Sequence, residues 1–98
     1  VRLRTQEVQA IKASVAEAFG PSAIVRLFGS RIDDTLRGGD IDLHLEVDDG
    51  SQDYRKAAAF RWRLFDRIDE QKVDLVFRVR GRPLRPIDEI AYEEGIVL

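Results

Sequence analysis

The stretch "LFGSRIDDTLRGGDIDLHLE", residues 27–46, carries the pattern that decides the fold. Its second half, extended to "DIDLHLEV" at 40–47, alternates strictly. Ile41, Leu43, Leu45 and Val47 fall on one side of an extended strand, and Asp40, Asp42, His44 and Glu46 on the other. Its first half closes an apolar, β-branched run, "AIVRLFG" at 23–29, on a glycine, and so reads as another strand. The connector between them, 30–39, opens at Ser30. A carboxylate buried without a partner costs on the order of several kcal/mol. The polar side of 40–47 must therefore be wet, bind a metal or meet a polar partner.

Upstream, Val8, Ile11, Val15, Ala18 and Phe19 recur at helical spacing and predict a helix over 5–19. Thr5 is the expected N-cap, and Gly20-Pro21 stops the helix. Downstream, "DDGS" is a turn and Ser51 a candidate cap. A second helix is expected over 51–71, with Ala57, Phe60, Leu64, Phe65 and Ile68 on one face and Trp62 toward its edge. Arg61 falls inside that face, which snorkelling explains; a contact with the acids is the alternative. "KVDLVFRV" at 72–79 is a third strand, with Val73, Leu75 and Phe77 opposite Asp74 and Val76. Pro83 and Pro86 make the next stretch a loop. A short helix follows over 87–95, with Ile87, Ile90 and Ala91 on one side and Gly95 as its stop. The last residues, "IVL", are expected to tuck against the core. The order α-β-β-α-β-α describes one domain, 1–98, of the α+β two-layer class: a small sheet with helices on one face and acids on the other.

Ninety-eight residues support one modest core and leave little surface for a large substrate. The absence of cysteine excludes disulfides, thiolate zinc sites and thiol catalysis, and fits a cytoplasmic protein. Charges interrupt the opening segment, so neither a signal peptide nor a membrane span is expected. The formal net charge of −2 argues against direct nucleic-acid binding. Arg78, Arg80, Arg82 and Arg85 form a local basic cluster, read as a solvated strand end and turn, or as a phosphate- or partner-facing patch.

Asp40 and Asp42, two positions apart on one strand face, stand roughly 6.5–7 Å apart at the backbone. A magnesium ion takes oxygen ligands and keeps open positions for phosphate oxygens. Asp74 joins the same patch if the strands carrying Asp42 and Asp74 are neighbours. Three carboxylates together repel one another, and two divalent ions about 3.5–4 Å apart would relieve that repulsion. Gly29 permits close backbone approach to phosphate, while Ser30 and Arg31 offer a hydroxyl and a cation. Lys72 is a second cation near the acids. Each feature has an ordinary structural explanation: an acidic edge strand, a turn, a salt bridge from Lys72 or Arg55 to Asp74, an exposed strand residue at His44. Their combination is the informative observation.

That combination resembles the nucleotidyltransferase superfamily that includes DNA polymerase beta. More narrowly, "LFGSRIDDTLRGGDIDLHLE" with "KVDLVF" is similar to the minimal nucleotidyltransferases of bacteria and archaea, with "IDEIAYEEGIVL" also like that group. The resemblance implies the nucleotidyltransferase fold with a mixed sheet. It implies Gly29, Ser30 and Arg31 at the nucleotide phosphates, and Asp40, Asp42 and Asp74 as catalytic, metal-binding acids. It also implies ATP as substrate and two magnesium ions, or manganese in their place. The gap of nine residues between Ser30 and Asp40 is one shorter than the usual pattern, and Gly39 stands where serine is frequent. Small members of this group pair with a helical toxin of the HEPN type. The implied activity is adenylyl transfer from ATP to a tyrosine of that toxin, making the chain an antitoxin. Transfer to a small molecule or an RNA end, and neutralisation by binding alone, remain alternatives, and homo-oligomerisation stays open.

Overall fold

The structure is a computed structural model that describes residues 3–29 and 40–98. The phosphate-loop candidates Ser30 and Arg31 lie outside the described residues. The elements run α1 (Thr5–Phe19), β1 (Ile24–Phe28), β2 (Ile41–Val47), α2 (Tyr54–Phe65), β3 (Val73–Val79), α3 (Pro86–Glu94) and β4 (Ile96–Val97). They form one mixed four-stranded sheet in the order β3-β2-β1-β4. β1 runs antiparallel to both β2 and β4, while β2 and β3 are parallel and joined through α2. This is the α+β two-layer class that the alternation at 40–47 predicts.

The apolar row of β2 meets α1 and α2. Ile41, Leu43 and Leu45 are completely buried, as are Ile11, Phe60 and Leu64 of the two helices. Each such side chain contributes about 1.5–3 kcal/mol of burial free energy, so this layer supplies most of the core. Phe19 of α1 packs edge-on against Phe77 of β3, at a centroid distance of 5.7 Å. Arg67, in the turn just after α2, ties that turn to α1, donating to both carboxylate oxygens of Glu17 at 2.8 and 2.7 Å and to the buried Ser14 hydroxyl at 3.0 Å.

Several local expectations change. The α1 N-cap is Arg4 rather than Thr5, and its backbone N–H donates to Glu7 Oε1 at 3.1 Å. Asp53, not Ser51, caps α2 by accepting from Arg55 N at 2.7 Å. α2 ends at Phe65 instead of continuing to 71. Asp66, Asp69 and Glu70 would put negative charge at the negative end of a longer helix, and Arg67 is already committed to α1. Trp62 points to solvent at 82% exposure. Arg61 donates to the Val73 carbonyl at 2.8 Å, on the edge strand of the sheet.

The C-terminal residues do not tuck into the core as a block. Ile96 and Val97 form an exposed edge strand on β1, and only Leu98 packs against the core cluster. Gly95 makes this possible, because a Cβ there would collide with the Ala91 carbonyl and lie 3.3 Å from the Leu27 carbonyl. The expectation of helices on one face alone holds for α1 and α2 but not for α3, which covers part of the polar face because buried His44 holds it there, a contact that alternation alone does not reveal. Asp88 and Tyr92 of α3 contact His44, whose side chain projects from the polar side of β2. Ile90 is consequently exposed, and Asp88 and Ala91 are the buried residues of α3.

Candidate active site

The parallel register of β2 and β3 pairs Asp42 with Asp74. Paired residues on parallel strands project to the same side of the sheet, so the two carboxylates stand side by side on neighbouring strands. Both are half-buried. Burial, followed by the negative charges of Asp74 and Asp40, pushes the Asp42 carboxyl above its ordinary range. The three acids therefore sense one another, as a shared patch requires. Asp40 lies just before β2 and is held by Lys72, whose Nζ is 3.4 Å from Oδ2. The Asp40 hydrogen bond, with the charges of Asp40, Asp74 and Asp42 behind it, raises the Lys72 ammonium above its usual value. Lys72 thus serves as counter-ion to the patch, pairing with Asp40 rather than with Asp74.

Gly29, at the end of β1, adopts φ +77°, and a Cβ built there would fall on the Asp42 carboxylate, with Cγ 3.2 Å away. The glycine is needed twice over: for its left-handed backbone and for the space that Asp42 occupies. Strands β1, β2 and β3 thereby bring Gly29, Asp42 and Asp74 to one place, with Asp40 and Lys72 alongside.

The donor set is all oxygen, which suits magnesium or manganese. Among the described residues no three His, Asp or Glu side chains already close around a common point. Asp40 is turned to Lys72, and a cation there would take the place of that ammonium. The chemistry of the acids fits a divalent ion that brings phosphate oxygens as further ligands.

Beside the acids on the same face of β2 lies a second polar network. His44 is fully buried, with Nε2 2.8 Å from Asp88 Oδ1. Asp88 accepts from Arg85 Nε at 3.1 Å, Nη2 at 3.1 Å and the backbone N–H at 2.9 Å. Those Arg85 bonds hold the Asp88 carboxyl far below the usual carboxylate range against the cost of burial. An ionised carboxylate can only accept, so the His44 Nε2–H donates. His44 Nδ1 is buried without a partner among the described residues. Further along, burial opposes ionisation of Glu46, but hydrogen bonds from Tyr92, Arg80 and Arg26 hold its carboxyl below the ordinary range. Arg26 also lies over the Tyr92 ring, 4.4 Å from its centroid.

This network decides the fate of two sequence candidates. His44 is neither an exposed strand residue nor a group presented to solvent: it anchors α3. The basic cluster is likewise spoken for by its own chain. Arg80 pairs with Glu46 and Asp48, Arg82 with Asp49, and Arg85 with Asp88. Arg78 donates to the carbonyls of Val79 and Arg82. The sequence did not single out Asp88, Tyr92 or Arg26; the available signal was an acid three positions after Arg85, the spacing of a helix-capping carboxylate.

A cleft of about 800 Å³ runs between the start of α1 and residues 65–71, away from the acids. Its charged lining is already paired in part, through Glu7 to Arg4 and Arg67 to Glu17. It carries no glycine and no aligned acid pair, so the strand ends remain the better site. Compared with known proteins, the chain matches no family model and no curated sequence.

Proposed function

We propose that the chain is a metal-dependent nucleotidyltransferase, most simply an adenylyltransferase: an acceptor hydroxyl loses its proton and attacks the α-phosphorus of ATP, the bond between the α- and β-phosphates breaks, and pyrophosphate leaves. The observation that carries this reading is the register pairing of Asp42 with Asp74, with Gly29 folded against Asp42. Carboxylates set side by side on neighbouring strands, beside a backbone with no side chain in the way, suit a phosphate-bearing, cation-carrying substrate. Asp40 and Asp42 would hold the ion that accompanies the triphosphate, and Asp74 would lie on the acceptor side. A bound divalent ion would neutralise charge on the phosphate oxygens. Gly29 gives the phosphates room, and Lys72 offers a cation beside them. Ser30 and Arg31 keep the phosphate-contacting roles that the resemblance implies.

The acceptor follows from the resemblance alone: a tyrosine of a HEPN-type helical toxin, with the chain acting as its antitoxin. The small size agrees, because little surface remains for a dedicated acceptor pocket. No helix among the described residues is long and apolar enough to cross a membrane, and the reading places the chain in the cytoplasm.

The test is transfer of label from α-labelled ATP, with magnesium, to a co-expressed helical partner. Asp74→Asn should reduce transfer far more than nucleotide binding. Equal loss of both would make Asp74 a shared ligand of the nucleotide's ion. Tight, metal-independent partner binding with no transfer would favour a non-catalytic antitoxin.

A further inference from the structure

The large apolar side chains that remain exposed among the described residues fall into two groups. Tyr54 and Trp62 lie on α2, at 78% and 82% exposure, and the other five lie between residues 84 and 97. Tyr54, Ala58 and Trp62 recur every four positions, forming one stripe along the outer face of α2, with Ala58 also exposed. Over eight residues this stripe is roughly 12 Å long. Its rings are not packed on their own chain, unlike Phe60 and Leu64 on the inner face.

The charges around the two groups are opposite in sign. α2 contains Arg55, Lys56, Arg61 and Arg63 and no acid. Arg61 is committed to the Val73 carbonyl, and Arg63 reaches Glu17 at 3.5 Å. Arg55 and Lys56 have no side-chain partner among the described residues. α3 contains Asp88, Glu89, Glu93 and Glu94 and no cation. Asp88 is turned inward to His44, while Glu89, Glu93 and Glu94 are exposed around the half-exposed Ile90. α2 packs on the apolar side of the sheet and α3 on the polar side, so the two faces point away from each other and cannot meet within one chain.

We infer that the basic, aromatic face of α2 docks the acidic, apolar face of α3 on a second copy of this chain, head to tail. α3 spans nine residues and α2 twelve, roughly 13 and 18 Å of helix, so the stripe can lie along the partner helix. Trp62 would supply the buried aromatic anchor and the charges its rim. The contact joins two different faces, so each dimer keeps one unused face of each kind, and the assembly extends into a ring or a filament. A nucleic acid suits α2 less well. The whole chain is net acidic, and the matching acidic face is present on the same molecule.

The test uses Trp62, the sole tryptophan, as its reporter. As wild-type concentration rises, emission should move to the blue and sedimentation should show species heavier than the 11.2 kDa chain. High salt should reverse both. Trp62→Ala should weaken association at least about tenfold, as should Glu89→Lys with Glu93→Lys, both at exposed sites where circular dichroism can confirm an intact fold. Each variant alone should stay monomeric at concentrations where the wild type associates. Mixed, they should form a dimer and nothing larger, because one keeps an intact α3 face and the other an intact α2 face. A wild type that stays monomeric with unshifted emission overturns the inference. So does a dimer that is indifferent to the α3 reversals, and so does emission that responds to a single-stranded oligonucleotide instead of to protein concentration.

Discussion

Replacing Asp42 by asparagine should stabilise the ion-free protein. Asp42 and Asp74 are paired across β2 and β3, and neighbouring strands lie roughly 4.8 Å apart. Two unit charges at that spacing repel by about 0.9 kcal/mol at the permittivity of water and about 3.5 kcal/mol at an effective permittivity near 20. Both side chains are half-buried, so solvent screening brings the figure to about 1–2 kcal/mol. Lys72 returns part of this by attraction, but burial and the two aspartates outweigh it, as the upward displacement of the Asp42 carboxyl shows. The folded carboxyl titrates above its unfolded value. Its ionisation therefore counts against the fold as pH rises through the folded value, and counts for nothing below the unfolded value of about 3.9. Thermal melts in a chelator at pH 7 should show Asp42→Asn more stable, by about 4–8 °C for each kcal/mol in a domain this small. The gain should disappear in acid. Magnesium should stabilise the wild type and leave the variant almost unmoved. An Asp42→Asn protein less stable than wild type at pH 7 without metal would mean that contacts hold the acids together and that they do not repel one another.

Four further outcomes follow from the structure. Asp88→Ala should cost about 1–3 kcal/mol by leaving the buried His44 Nε2–H without its acceptor, read by chemical denaturation. Because the Asp88 carboxyl is depressed in the fold, its contribution is present above the unfolded carboxylate range and is lost as pH falls toward the folded value; Asp88→Asn should flatten the acid limb of the stability profile. Gly29→Ala should lose about 1–2 kcal/mol from its positive φ and, by displacing Asp42, should weaken magnesium-ATP binding in calorimetry more than Gly20→Ala, whose Cβ meets open space. Lys72→Met should tighten binding of magnesium alone, because the ammonium holding Asp40 is gone.

The sequence made the two-layer body legible because its signals were local and periodic. The strict alternation at 40–47 separated core from polar face, and the helical spacing of Val8, Ile11 and Val15 set α1. Asp74 was placed in a strand by its flanking apolar residues, but its position opposite Asp42 depends on a parallel register set through α2. No local pattern shows that. The burial of His44 is hidden for the same reason: alternation assigns a side, and the partner covering that side lies 44 residues away. Asp88 looks like an ordinary helix-start acid, and only the packing of α3 turns it inward. Trp62 sat near the edge of an apolar helical face, and spacing alone cannot say that this edge stays uncovered.

In the proposed function, acids from neighbouring strands share a divalent ion with a nucleotide's phosphates. The most direct measurement is paramagnetic broadening of backbone amides by manganese, with and without a non-hydrolysable ATP analogue. Broadening should centre on Gly29, Asp42 and Asp74, grow stronger with the nucleotide and vanish in Asp42→Asn. Broadening centred on the Asp48–Asp49 turn, or nucleotide binding of equal strength in the presence of a chelator, would contradict the proposed function.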